Sequence, residues 1–248
     1  MNLISIASFV LEVLKTIASL IQSVKTWWTF KLPSYKVLRS LANNNEDLVI
    51  FVRDFFIQPS SPLLSQEGLN GPIGQVPNVF ELWPRVEGIG LSNILSTLGK
   101  LEKIDSIQIM EMSKDPGIWD KNMIIIGAQT QKCFDFYQKM QEVAFRVTRS
   151  DIIRNSSGKK IIRDPKYGYG VVLKCKNPYV AGNKGLGFLV GGYGTLGTEA
   201  ATYYFSRHLD ELGRSFGNRS FGVVVRASIT AGASSVERIA KYDKVFNH

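Results

Sequence analysis

Gly187-Phe188-Leu189-Val190-Gly191-Gly192-Tyr193-Gly194-Thr195-Leu196-Gly197-Thr198-Glu199 is the stretch that decides the fold. Phe188-Leu189-Val190 has the length and composition of a strand buried on both faces, as strands of a parallel sheet are. Gly191, Gly192, Gly194 and Gly197 follow at once. Without a Cβ the backbone can turn sharply, and a ligand can lie against it. Thr195 or Thr198 is a suitable cap for the helix beyond, which places Glu199 in the first helical turn. Ala200, Ala201, Tyr204, Phe205, His208, Leu209 and Leu212 then recur on one helical face. A strand, a glycine turn and a helix N-terminus together seat a phosphate or another polar ligand group. That makes Gly191, Gly192, Tyr193, Gly194 and Thr195 candidate binding residues. A second reading stands beside it, a tight strand-to-helix connection whose glycines serve packing alone.

The same alternation extends outward. Leu48 to Ile57, Ser106 to Met112, Met123 to Gly127, Val171 to Cys175 and Phe221 to Arg226 read as strands. Gly127, followed by Gln129, Thr130 and Gln131 and then a helix to about Glu142, has the layout of a ligand-binding loop at the carboxyl end of a parallel strand. There the three polar side chains can hydrogen-bond a base or a ribose, or Thr130 simply caps the helix. Glu87-Gly88-Ile89-Gly90 reads as a second glycine turn opening a helix. Residues 58 to 79 form a long loop, and Asn155-Ser156-Ser157-Gly158 marks a hairpin. Asp164 and Tyr167 sit in a turn that borders the site. Strands alternating with helices predict an α/β domain, a mainly parallel sheet with helices on both faces, over residues 48–248. The hairpin near 145–175 is expected as an antiparallel addition and 228–248 as a terminal appendage.

Residues 1–30 are organised differently. Residues 3 to 24 are unusually apolar, and the polar positions Ser5, Ser8, Glu12, Lys15, Ser19, Gln22 and Thr26, at spacings of three and four, fall on one stripe of a helix. The length approaches a membrane span. Trp27, Trp28 and Phe30 suit an interfacial belt, with Lys25, Lys31, Lys36 and Arg39 on the cytoplasmic side. Two readings follow: the helix meets a membrane, or it joins other copies of the chain. Residues 31–47 link it to the domain.

A formal net charge of +9 suits an anionic partner, yet the basic residues are scattered, which argues against a dedicated nucleic-acid arm. Two cysteines and two histidines form no zinc pattern, and no metal or cofactor is expected. Two cysteines imply no disulfide framework, so the domain is expected in a reducing cytosol, on the inner face of the membrane if the first helix attaches there. No Gly-Lys-Ser/Thr follows the glycine turn, so it is not a P-loop.

The turn resembles the Gly-Gly-x-Gly-Thr-x-x-Glu motif of the Lonely Guy phosphoribohydrolases, and the wider superfamily of Rossmann-like nucleotide-binding domains that includes them. Two positions depart from it. Val190 stands where the family usually has proline, and Glu199 lies four residues after Thr195 rather than three. The resemblance implies a Rossmann-like sheet, glycines that hold a nucleotide phosphate, and a catalytic role for Glu199 at the ribose. Related domains fused to membrane or effector parts serve prokaryotic antiviral defence. Three functions follow. The first is a nucleotide-binding sensor whose ligand state controls homo-oligomer assembly through the N-terminal helix. The second is an N-glycosidase acting on a nucleotide or NAD, with Glu199 stabilising the ribosyl cation or activating water. The third is a structural subunit with a degenerate pocket.

Overall fold

The computed structural model describes residues 11–24, 33–43, 47–52, 55–57, 80–82, 85–99, 107–111, 119–127, 133, 135–136, 139, 145–147, 152–154, 160–180 and 185–242. Residues 11–24 are helical (α1). The later helices are α2 (Pro33–Asn43), α3 (Arg85–Gly99), α4 (Gly194–Arg207) and α5 (Leu209–Phe216). The main strands are β1 (Leu48–Val52), β4 (Ile107–Glu111), β5 (Asn122–Ile126), β9 (Tyr167–Lys176), β10 (Leu186–Gly192), β11 (Phe221–Ser228) and β12 (Glu237–Tyr242). They form one sheet in the order β12-β11-β9-β10-β5-β1-β4. Two smaller sheets stand apart: β2 (Phe55–Ile57) with β3 (Phe80–Leu82), and β6 (Phe145–Val147), β7 (Ile152–Arg154) and β8 (Lys160–Ile161). The last pairing, β7 with β8, is the hairpin expected around Asn155 to Gly158.

The α/β class is as the sequence predicts, but the sheet is mixed rather than mainly parallel. β1 runs parallel to β4 and β5, and β5 to β10. β9 is antiparallel to β10 and β11, and β11 to β12. The central strands alternate between two cores. Ile50, Ile124, Phe188, Val190 and Val223 face α2 to α5, against Leu38, Ile94, Ala201, Phe205 and Leu212. Val49, Phe51, Met123, Ile125, Leu189 and Val224 face the other side, against Cys133 and Phe136 of a helical stretch and the rings of Trp119 and Tyr179. Burial on both faces explains the unbroken apolar runs of β1, β5 and β10.

Three local expectations change. α3 begins at Arg85, so Gly88 and Gly90 lie inside the helix instead of forming a turn before it. A Cβ on Gly90 would come within 2.8 Å of Thr202 Cγ2, so this glycine lets α3 and α4 pack closely. Residues 228–248 were expected to be an appendage, yet β12 within them is the seventh strand of the sheet. The N-terminal helix is described only over 11–24, where every residue is exposed. No helix among the described residues is long and apolar enough to cross a membrane. The aromatic pair Trp27-Trp28 and Phe30 lie outside the described residues.

Candidate functional site

At the carboxyl end of β10 the chain passes through Gly191 and Gly192 into α4. The N-cap of α4 is Tyr193, with no side-chain cap, and neither Thr195 nor Thr198 takes that role. Thr198 does something else: its hydroxyl accepts the Gly192 N–H at 3.2 Å, tying the start of the second turn of the helix back to the strand. Glu199 therefore falls in the second helical turn. It is half-buried, and its carbonyl accepts the Thr202 hydroxyl at 3.1 Å.

The glycines divide by what lies against them. A Cβ on Gly191 would sit 2.3 Å from the Gly127 carbonyl carbon. A Cβ on Gly192 would sit 2.3 Å from the Tyr169 carbonyl oxygen, and one on Gly197 would sit 2.2 Å from it. Gly170 meets the Gly197 carbonyl oxygen at 2.4 Å in the same sense. Gly170, Gly192 and Gly197 lay α4 directly on β9 and β10, backbone against backbone, and Gly191 brings β10 against Gly127. The Tyr193 N–H donates to the Tyr169 carbonyl at 2.8 Å, so it faces the protein as well. Gly194 alone of the turn, at φ +66°, has no atom within 4 Å of where a Cβ would stand. Gly127, at φ +103°, donates its N–H to the Val190 carbonyl at 3.1 Å and holds β5 and β10 together at this end. Gln129, Thr130 and Gln131 lie outside the described residues.

Beside the turn is a cavity of about 480 Å³, lined by Lys160 to Pro165, Tyr167, Tyr169 and Tyr193. The β9 register places Gly170 opposite Gly192, so Tyr167 and Tyr169 come to the carboxyl end of the parallel strands. The Arg163 guanidinium lies 4.4 Å from the centre of the Tyr193 ring, and Arg226 lies 4.4 Å from that of Tyr167. The Arg226 Nε–H donates to the Glu237 carboxylate, which holds that guanidinium above its ordinary pKa. Asp164 is held by its turn: its Oδ1 accepts the Lys166 N–H at 2.9 Å, and its own N–H donates to the Tyr169 hydroxyl at 2.9 Å. Three tyrosines, of which Tyr169 and Tyr193 are largely buried, and two cations, Lys160 and Arg163, thus border one concavity.

A second cavity, about 570 Å³, lies between α2 and α5 against Tyr35, Lys36 and Gly213 to Arg219. It is larger, but Lys174 reaches its wall at Asn218, and Lys174 pairs with Phe188 near the start of β10. This is the amino end of the parallel strands. Ligands of open α/β sheets bind at the carboxyl end, which favours the tyrosine cavity.

Sequence reasoning singled out Tyr193 and placed Tyr167 at the border. It missed Lys160, Arg163 and Tyr169. The Tyr167-Gly-Tyr-Gly170 spacing was the available signal, because a period of two puts both rings on one face of a strand. No family model matches the chain, and neither a curated protein nor a solved structure matches it.

Proposed function

We propose that the protein is a nucleotide-binding sensor module, with the tyrosine cavity as its ligand site and assembly through the N-terminal helix as its output. One observation carries the reading: three tyrosine rings, Lys160 and Arg163 border a cavity at the carboxyl end of the sheet, beside the uncapped start of α4. Aromatic faces stack on a base and cations meet its phosphates. The first-turn N–H groups of α4 add a positive dipole end near Gly194, the open position of the turn. The net charge of +9 draws in an anionic ligand.

Sensing is preferred to glycoside cleavage because Asp164 is the one carboxylate among the described residues that line the cavity, and its turn already engages it. Glu199 is not among the lining residues. The resemblance to Rossmann-like nucleotide-binding domains points the same way, and antiviral defence is the setting it suggests.

Calorimetric titration with mono-, di- and triphosphate nucleotides tests the reading. Arg163→Gln removes the cation that lies over the Tyr193 ring, so a tenfold or greater loss of affinity is expected, about 1.4 kcal/mol. The folded variant binding as tightly as the parent would remove the cavity from consideration. Release of free base from a bound nucleotide, abolished by Glu199→Gln, would establish the glycosidase instead.

A further inference from the structure

The described part of α1, residues 11–24, is a two-faced helix whose residues are all exposed. Leu11, Leu14, Ile17, Leu20, Ile21 and Val24 are between 46% and 63% exposed. At about 100° per residue, Glu12, Lys15, Thr16, Ser19, Gln22 and Ser23 fall within an arc of about 120°, and all the apolar residues fall on the opposite arc of about 180°. Leu14, Ile17, Ile21 and Val24 form its centre. Leu11 and Leu20 form its two edges. Among the described residues, none of this face belongs to either of the cores that flank the sheet.

We infer that this face is covered by the same helix of other copies of the chain, in a closed bundle of three or more with the polar arc outside. The width of the apolar arc sets the number. A two-stranded coiled coil covers only a narrow central seam, which would leave Leu11 and Leu20 wet on opposite edges. With three or more helices, each edge meets a neighbour. The central residues agree. In a parallel bundle Leu14 and Ile21 take one seam position and Ile17 and Val24 the other, and a β-branched residue at the second position disfavours two strands. A membrane surface is the poorer partner, because helices that lie on membranes carry Lys and Arg on the polar face. Here that face holds one acid, Glu12, and one base, Lys15, and no net charge. These two residues stand outside the bundle and do not bridge between chains. The inference rests on α1 alone and stands whether or not the cavity binds a nucleotide.

Sedimentation velocity on the full-length chain, without ligand or detergent, tests it. The parent and Ser19→Glu, which alters only the polar arc, are expected at three or more times the chain mass. Leu14→Glu and Ile21→Glu are expected to sediment as monomers. Their domains should unfold at the parent's denaturant midpoint when all are compared at dilutions where every form is monomeric. A monomeric or dimeric parent overturns the inference, as does assembly of Leu14→Glu like the parent's. Flotation of the monomeric parent with vesicles of phosphatidylglycerol and phosphatidylethanolamine would assign the face to a lipid surface instead.

Discussion

Lys174 shows how far a single residue can depart from its usual setting. It is 3% exposed, near the carboxyl end of β9, where neighbours on its face are core residues. Its ammonium donates to the Asn218 carbonyl at 3.1 Å and pairs with no carboxylate among the described residues. Burial lowers its pKa to about 8. Below that pH both folded and unfolded chains hold the proton, and the fold carries the full cost of a buried charge. As pH rises from about 8 towards the unfolded value near 10.4, the folded chain releases its proton first, so stability rises with pH across that window. Lys174→Met is therefore expected to stabilise the protein by about 2 kcal/mol near neutral pH, and by less near pH 10. Denaturant midpoints of both proteins at the two pH values check this. An equal gain at both would show that the amine does not titrate in that range.

At the scale of elements, the sequence was most informative where burial on two faces leaves an unbroken apolar run, as in β1, β5, β10 and β11. It was least informative where glycine has two meanings. Tyr167-Gly-Tyr-Gly170 reads as a turn, yet it is the first part of a ten-residue strand whose glycines admit α4. β12 was missed because Glu237-Arg-Ile-Ala-Lys-Tyr242 looks like solvated chain, which is what an edge strand with charges resembles. The glycine turn was found, but what each glycine touches was not, because Tyr169 and Gly127 reach it from distant parts of the chain. The distinction changes what a mutation does. Gly192→Ala places a methyl 2.3 Å from the Tyr169 carbonyl oxygen and 2.5 Å from the Gly197 carbonyl carbon, and backbone cannot yield as a side chain can. A loss of about 3 kcal/mol or more is expected, at the upper end of overpacking costs. Gly194→Ala meets open space and carries only the left-handed strain of φ +66°, about 1–2 kcal/mol. Urea unfolding of the two variants gives the order. If Gly194→Ala were the more damaging, the packing account of Gly191, Gly192 and Gly197 would be wrong.

For the whole molecule, the α/β class is legible because local periodicity reports it, whereas the mixed strand order is not, because pairing of β9 with β10 and β11 is set by distant contacts. The same view separates two bodies of apolar surface. The two cores flanking the sheet are built from residues at or after Val37. The described helix at 11–24 adds nothing to them. Deleting residues 1–30 is therefore expected to leave a monomeric domain with one cooperative unfolding transition and an intact tyrosine cavity. Thermodynamic reciprocity then gives a test of the sensor. If nucleotide favours assembly, assembly must tighten nucleotide binding by the same factor. The apparent Kd of the full-length chain should fall as protein concentration crosses the assembly threshold, while that of the truncated domain stays constant and matches the dilute, monomeric full-length value. Fluorescence titrations of both forms over a range of protein concentrations measure this. Equal and constant affinities would mean that the cavity and the helix act independently, and that assembly is not the output of ligand binding.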